Sequence, residues 1–335
     1  MLLKTDAVFE GGGVKGIGLV GAVYEIEKAG YVFENLAGTS AGAIVASLLA
    51  VGYNAEEIKR ELEQLDYSKF KDKGLLDKFG FPGKAFSICF EYGIYEGRYF
   101  EKWFEDLLGI KGKTKFGDIK TNYPEEKYKY KVQVIATDIT DRRLLVLPGD
   151  LKDFGYDPDQ FSISRAVRMS MSIPFFFEPI KLQDSSGRTH FIVDGGVLSN
   201  YPIWLLDDGT SNPPWPTFGF KLIEPDKRIL KKPDWNPIKN PLTFIKAIVS
   251  SMLEAHDKYH ISKSQGDFDR TIMIPTVVNV GGNEKDVKAT DFEISGEDSE
   301  ALFRNGQAAA VEFLAKWNFE EWKRQYRQNP EVKKP

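Results

Sequence analysis

Residues Gly38-Thr39-Ser40-Ala41-Gly42 constrain this chain more than any others. An extended apolar run, Tyr31 to Ala37, leads into them, and a helix of small residues, Ala43 to Val51, follows. A sharp strand-to-helix turn forces its central residue into a strained backbone, and the residues two positions away must lack bulk for strand and helix to approach. Ser40 is thereby presented as a nucleophile. The first turn of the following helix aims N–H groups and the positive end of its dipole at any negative charge developing there. Because the pattern is short, its neighbours must support it.

A second glycine cluster lies upstream. Asp6-Ala7-Val8-Phe9-Glu10 reads as a strand ending in Gly11-Gly12-Gly13-Val14-Lys15-Gly16, after which Ile17, Leu19, Val20, Val23 and Ile26 recur at helical spacing. Consecutive glycines leave backbone N–H groups unshielded, a nest for an oxyanion or a phosphate, with Lys15 adding positive charge. Two chemistries compete for it. Gly11, Gly13 and Gly16 satisfy the dinucleotide-binding spacing, with Glu34 near the distance of a ribose-binding carboxylate. Against that, the next strand runs straight into the Ser40 turn, which a dinucleotide fold does not need.

The third cluster is Asp194-Gly195-Gly196, at the end of a buried strand over His190 to Val193. Functional groups of open α/β folds gather at the carboxyl ends of parallel strands, so the glycine loop, Ser40 and Asp194 would share one crevice if the sheet is parallel. Taken alone, Asp-Gly-Gly is an ordinary turn.

These three clusters in this order resemble the patatin-like phospholipase family. Further stretches agree: Gly93-Ile94-Tyr95-Glu96-Gly97 before an amphipathic helix, Ser164 to Pro174 with the aromatic run Phe175 to Phe177, and Gly219-Phe220-Lys221-Leu222. The resemblance covers about residues 5 to 315. It departs at Lys15, where the family often has arginine, which keeps the charge and loses the planar fork. The resemblance implies a three-layer α/β/α fold with a mostly parallel sheet. It also implies a Ser-Asp dyad, with Ser40 as nucleophile and Asp194 as its base, acting on carboxylic esters of lipids. The oxyanion hole would comprise Gly11, Gly12, Gly13 and the amide of Ala41, supported by Lys15, Gly16, Gly38, Gly42, Gly195 and Gly196. No metal or organic cofactor is required. The partner is a phospholipid or other lipid ester, with transient membrane-surface contact; whether an activator is needed stays open. Acyl transfer to another alcohol would use the same residues. The reading from another class is a nucleotide-binding or regulatory module gripping phosphate with residues 11–16.

An aspartate is an awkward base for a serine, since its ordinary pKa is about 3.9. Stabilisation of the oxyanion by loop amides must then carry most of the rate, at about 2 to 4 kcal/mol per donor. A competing base is Asp138, after the strand Val132 to Thr137. The alternative for Asp138 is a loop-anchoring role in Thr137-Asp138-Ile139-Thr140-Asp141, where Asp and Thr bond local amides. Of the three histidines, His190, His256 and His260, none stands in a recognisable catalytic motif, and no metal-ligand cluster is evident.

Composition excludes more than it assigns. A net charge of −4 gives no global attraction to nucleic acid. The single cysteine, Cys89, rules out an intrachain disulfide. Met1 to Glu10 reads directly as the first strand rather than as a signal, and no apolar run is long enough to span a bilayer, so a cytoplasmic protein is expected. Residues 5–320 are expected to form one domain, with a candidate flap or insertion at about 66–100 and a fraying tail at 321–335. The aromatics of residues 79–92 suit either a flap or core, whereas Tyr99, Phe100, Trp103, Phe104, Leu107 and Leu108 form a core-facing helical stripe. Lys127-Tyr128-Lys129-Tyr130-Lys131 reads as a solvated strand face that could meet anionic headgroups. Asp207 to Pro216 and Leu230 to Pro241 read as loops around a strand at Phe218 to Ile223. Ser295 and Asp298 suggest a cap for a helix running to about Trp317.

Overall fold

Strand β1 (Leu3–Phe9) is buried from Thr5 onward, as a strand covered on both faces must be. It lies at the centre of an eight-stranded sheet in a computed structural model that describes residues 2–65, 95–207, 209–224, 238, 244, 247, 266–289, 291 and 294–328. Its parallel neighbours are β2 (Tyr31–Thr39) and β7 (Thr217–Ile223). Beyond them, β3 (Val132–Asp138) and β8 (Thr271–Pro275) also join in parallel. The remaining strands are antiparallel: β4 (Arg143–Leu147) and β6 (Thr189–Asp194) both pair with β3, and β5 (Ile180–Gln183) pairs with β6. A separate hairpin joins β9 (Val277–Val280) to β10 (Asn283–Asp286). The mostly parallel α/β fold expected from the sequence is therefore present, with one consequential difference: the strand bearing Asp194 runs against its neighbour.

Helices flank the sheet. Alternation along β1 sends Ala7 and Phe9 into the main core and Val8 to the other face, where Ala37, Tyr201, Ile203 and Leu206 complete a smaller cluster. The main core is built with α1 (Gly16–Lys28), α2 (Ala41–Val51), α3 (Ala55–Glu63), α4 (Arg98–Ile110), α5 (Ile163–Ser170) and α6 (Gly296–Lys316). All eleven residues of α2 are buried, which explains its apolar, small-residue composition. The stripe on α4 faces the core through Phe100, Phe104, Leu107 and Leu108. Ser295 caps α6 by accepting from the Asp298 N–H, at the position expected.

Two local expectations need correction. Residues 127–131 are not a strand face: Glu126–Tyr128 form a 3-10 turn, Tyr130 is buried and makes only an isolated backbone bridge to Lys120, and β3 starts only at Val132. Residues 321–326, assigned to a fraying tail, belong instead to α7 (Phe319–Tyr326), which buries Trp322. Residues 66–94, which include Cys89 and most of the candidate flap at 66–100, lie outside the described residues, as do His256, His260 and nearly all of 230–241; the last residues of the candidate flap, 98–100, open α4.

Candidate active site

Ser40 sits between β2 and α2 with φ 52° and ψ −122°, a conformation that costs a residue with a side chain on the order of 1–3 kcal/mol. The glycines around it make the turn fit. A Cβ on Gly38 would lie 2.4 Å from the backbone of Gly42, and one on Gly42 would lie 2.3 Å from the Phe9 carbonyl oxygen. The Ser40 N–H donates to Ser170 Oγ at 2.8 Å, and that hydroxyl donates to the Ile135 carbonyl at 2.5 Å. The C-terminal end of α5 therefore holds the elbow from below.

Sheet register brings Asp194 to the serine. Thr39 pairs with Ile135, and Asp194 pairs with Ala136, so Ser40 and Asp194 both lie at the level of Ala136, one rung along β3 from the Thr39–Ile135 pair. They stand two strand spacings apart, about 10 Å between backbones, which their side chains close from either side. Asp194 gets there because β6 runs antiparallel and stops at this level, not because it ends at the carboxyl edge of a parallel sheet. Its own N–H donates to the Ser172 carbonyl at 2.9 Å, so the 170–172 segment fixes both members of the pair.

The Asp194 side chain is almost wholly buried and poorly served by donors. Oδ1 accepts from the Gly196 N–H at 2.8 Å, whereas Oδ2 is buried with no partner that satisfies hydrogen-bond geometry. Loss of water lifts its pKa from 3.8 to about 7, and the Gly196 amide and the nearby Ser40 hydroxyl offset only part of that rise. The weak-base objection raised by an ordinary aspartate is met by burial.

In the glycine loop the N–H groups divide. Gly11 donates to the Asn200 carbonyl at 3.1 Å, and Asn200 Nδ2 returns a bond to the Gly11 carbonyl at 3.2 Å. This clasp takes the Gly11 amide out of the expected oxyanion set. The N–H groups of Gly12, Gly13 and Ala41 meet no acceptor among the described residues. The loop lies against the serine, since a Cβ on Gly11 would be 3.2 Å from Ser40 Cβ, and one on Gly16 the same distance from Ala41 Cβ. Gly13, at φ 55°, has no room for a side chain, whose first atom would meet the Ala289 carbonyl at 1.9 Å. Gly195 is packed on the Ile135 carbonyl, 2.4 Å from where its Cβ would be.

The two residues that would support a nucleotide site are engaged elsewhere. Lys15 is buried and paired with Glu224 at 2.9 Å, so its charge anchors the loop to the end of β7. Glu34 lies five residues before Thr39 and bonds Lys4 and Tyr123 toward the opposite end of β2. Asp138 takes the loop-anchoring role: Oδ1 accepts from the Thr140 and Asp141 N–H groups, and Oδ2 lies 2.7 Å from His190 Nδ1. The Asp138, Asp141 and His190 ligand atoms fall within 4.8 Å of one another, a cluster the sequence did not reveal. They are engaged with each other and with Asp184 and Arg188. The parts that sequence reasoning missed are Asn200, Ser170 and Ser172. Their partners lie 130 or more residues away, or in the case of Ser172 on a strand whose direction the sequence left open.

A sequence profile of the patatin-like phospholipase family matches residues 7–207, a span containing the elbow, the glycine loop and Asp194. The chain belongs to that family. Among patatin-like relatives, the uncharacterized protein YqhO of Bacillus subtilis is 39% identical over 321 residues, covering 95% of this chain and 100% of YqhO. The cUMP-AMP-activated phospholipase of Escherichia coli is 28% identical over 209 residues, 60% of this chain and 57% of that protein. A probable lipid hydrolase of Invertebrate iridescent virus 6 is 28% identical over 58% of this chain and 61% of its own length. The fold resembles the crystal structure of VipD from Legionella pneumophila, with a TM-score of 0.53 and 19% identity over 93% of this chain and 66% of VipD. Among the described residues, no helix of this patatin-like chain is long and apolar enough to cross a membrane.

Proposed function

We propose that this protein is a lipid acyl hydrolase in which Ser40 and Asp194 act as a dyad through an acyl-enzyme. The observation that carries the reading is the pairing of a strained serine with a buried carboxylate whose Oδ2 lacks a partner. Ser40 Oγ attacks the carbonyl carbon of a lipid ester as Asp194 Oδ2 accepts its proton. The tetrahedral intermediate collapses with transfer of that proton to the leaving alcohol, and water repeats the sequence to release the fatty acid. A base with a pKa near 7 is matched to neutral pH, where an ordinary carboxylate is not. The amides of Gly12, Gly13 and Ala41 are the candidate oxyanion donors, with the α2 dipole behind the last.

The relatives named as phospholipase and lipid hydrolase support a lipid ester as substrate. The test is labelling of purified protein with a fluorophosphonate, with the adduct located by peptide mass, beside fatty-acid release from phospholipid vesicles. An adduct at Ser40, with both labelling and release lost in Ser40→Ala, is expected; undiminished release by Ser40→Ala would refute the assignment.

A further inference from the structure

A cavity of about 340 Å³ lies toward the other end of β1, at the start of β7. We propose that it is a binding site for a small protonated organic amine, whose ammonium pairs with Asp6 and whose carbon skeleton lies against Tyr123, Tyr128, Trp215 and Trp322. The site is distinct from the ester-cleaving centre. Five residues of extended chain separate Asp6 from Gly11, roughly 16 Å at the rise of a strand.

Asp6 is 3% exposed in the middle of the central strand, where an apolar residue would pack at lower cost. The backbone is built to receive it. A bulge in β2 sets Glu34 and Asn35 opposite this one residue, and it directs two Asn35 donors at Oδ1, the N–H at 3.0 Å and Nδ2 at 2.8 Å. Trp215 Nε1 adds a third at 2.8 Å. Oδ2 has no hydrogen-bond partner among the described residues, and Asp6 lines the cavity. The amide oxygen of Asn35, beside it, is buried without a partner as well. Unmet acceptors call for a donor, and the surroundings specify its charge. Arg270, the guanidinium lining the cavity, is already paired with Asp207 at 2.7 Å and with Asp267. Glu125, and Asp6 once it is ionised, are thus left on the lining without a cationic partner among the described residues. Aromatic faces favour a cation in the same place, and Trp215 already carries one, the Lys4 ammonium 5.2 Å from its ring centre and paired with Glu34. Pro213, Pro214 and Pro216 stiffen the wall, so that little ordering is left for binding to impose.

Burial, with a smaller contribution from Glu34, lifts Asp6 from 3.8 to about 7, while the Tyr123 hydroxyl is pushed up to about 12 and stays neutral. Amine binding must therefore displace a proton from Asp6 below pH 7. Calorimetric titration of the full chain with tyramine should show binding about tenfold weaker at about pH 6 than at about pH 8, from the ionised fractions of a group with a pKa near 7. Its neutral isostere 4-hydroxyphenylethanol should fail to bind. Asp6→Asn should weaken tyramine at least tenfold and abolish the pH dependence, and Tyr123→Leu, at a half-exposed wall position outside the strands, should weaken it at the cost of one hydrogen bond to Glu34 of β2. Ser40→Ala should bind as the parent does, whatever becomes of the ester chemistry. Tyramine binding with glycerophosphoethanolamine failing would assign the site to a free amine, and binding of both to a lipid headgroup. No binding of either at millimolar concentration, or tyramine binding indifferent to both substitutions, would overturn the proposal.

Discussion

Replacing Asp194 with asparagine should remove ester hydrolysis and, above neutral pH, strengthen the fold. The carboxyl has a pKa of about 7 in the folded chain against 3.8 ordinarily. Between those values the folded state holds a proton that the unfolded chain has lost, so stability is greatest below 3.8 and is lost as pH rises through 7. At about pH 8 the full shift of roughly three units opposes folding by about 4 kcal/mol, and at about pH 5 by only about 2 kcal/mol. Asparagine carries no such load. Its Oδ1 can keep the Gly196 bond, but its amide nitrogen would occupy the site of Oδ2 and bury an unmet donor unless Ser40 Oγ accepts from it, a cost of about 1–3 kcal/mol. That cost is the same at both pH values. The gain of Asp194→Asn over the parent should therefore be about 2 to 3 kcal/mol larger at about pH 8 than at about pH 5, whatever the amide costs. Urea unfolding at the two pH values, with matched m-values, measures it. An equal effect of the substitution at both would refute the argument that burial of this carboxylate sets its proton affinity.

Under the proposed mechanism the same carboxyl governs rate. For the parent, kcat/KM on a soluble ester should fall about tenfold per pH unit below 7, since only ionised Asp194 accepts the serine proton; a flat profile between about pH 5 and 8 would remove it as the base. Ser170→Ala leaves the buried Ser40 N–H and Ile135 carbonyl without their shared hydroxyl, which should cost about 1–3 kcal/mol of stability and lower kcat with little change in KM. An unaltered kcat would show that the elbow holds without this tie. Asp138→Asn should lower the urea midpoint through loss of its His190 pair while leaving turnover within a few-fold of the parent; a loss matching that of Asp194→Asn would reassign the base.

The features readable in advance are those enforced by the local backbone. The serine between glycines at 38 and 42 states a steric requirement within five residues, and the structure meets it; three consecutive glycines after a strand and Asp-Gly-Gly after another mark loops, which the structure packs tightly at Gly11, Gly12, Gly13 and Gly195. Contacts between distant segments were not readable. Nothing near Gly11 reveals that Asn200 will take its amide, and nothing near Ser40 reveals that Ser170 will take the serine's own N–H. Strand direction was left open for a related reason. The pattern His190 to Val193 marks a buried strand equally well in either sense, and only pairing with β3 decides it. Residues 127–131 alternate like a strand, yet only an isolated backbone bridge from Tyr130 to Lys120 forms there, with the buried Tyr130 ring set against Phe116.

The choice between Asp138 and Asp194 shows what kind of information the sequence lacked. Both aspartates end strands, both are buried, and each precedes a turn. They differ in how many donors reach them. Asp138 is followed by Ile-Thr-Asp, whose backbone turns two N–H groups onto Oδ1 while His190 occupies Oδ2, so it has no oxygen free to take a proton from a substrate or a serine. Asp194 is followed by Gly-Gly, which returns a single N–H, and the antiparallel course of β6 delivers it to a level where the remaining oxygen faces Ser40 rather than a second donor. A buried carboxylate with every lone pair satisfied is a structural brace. One with a donor missing is driven toward the proton, and in the proposed dyad that proton would come from Ser40. Basicity at this site thus comes from a deficit of hydrogen bonds that only the assembled sheet can produce, and adding a donor to Asp194 Oδ2 would stabilise the carboxylate and weaken the base.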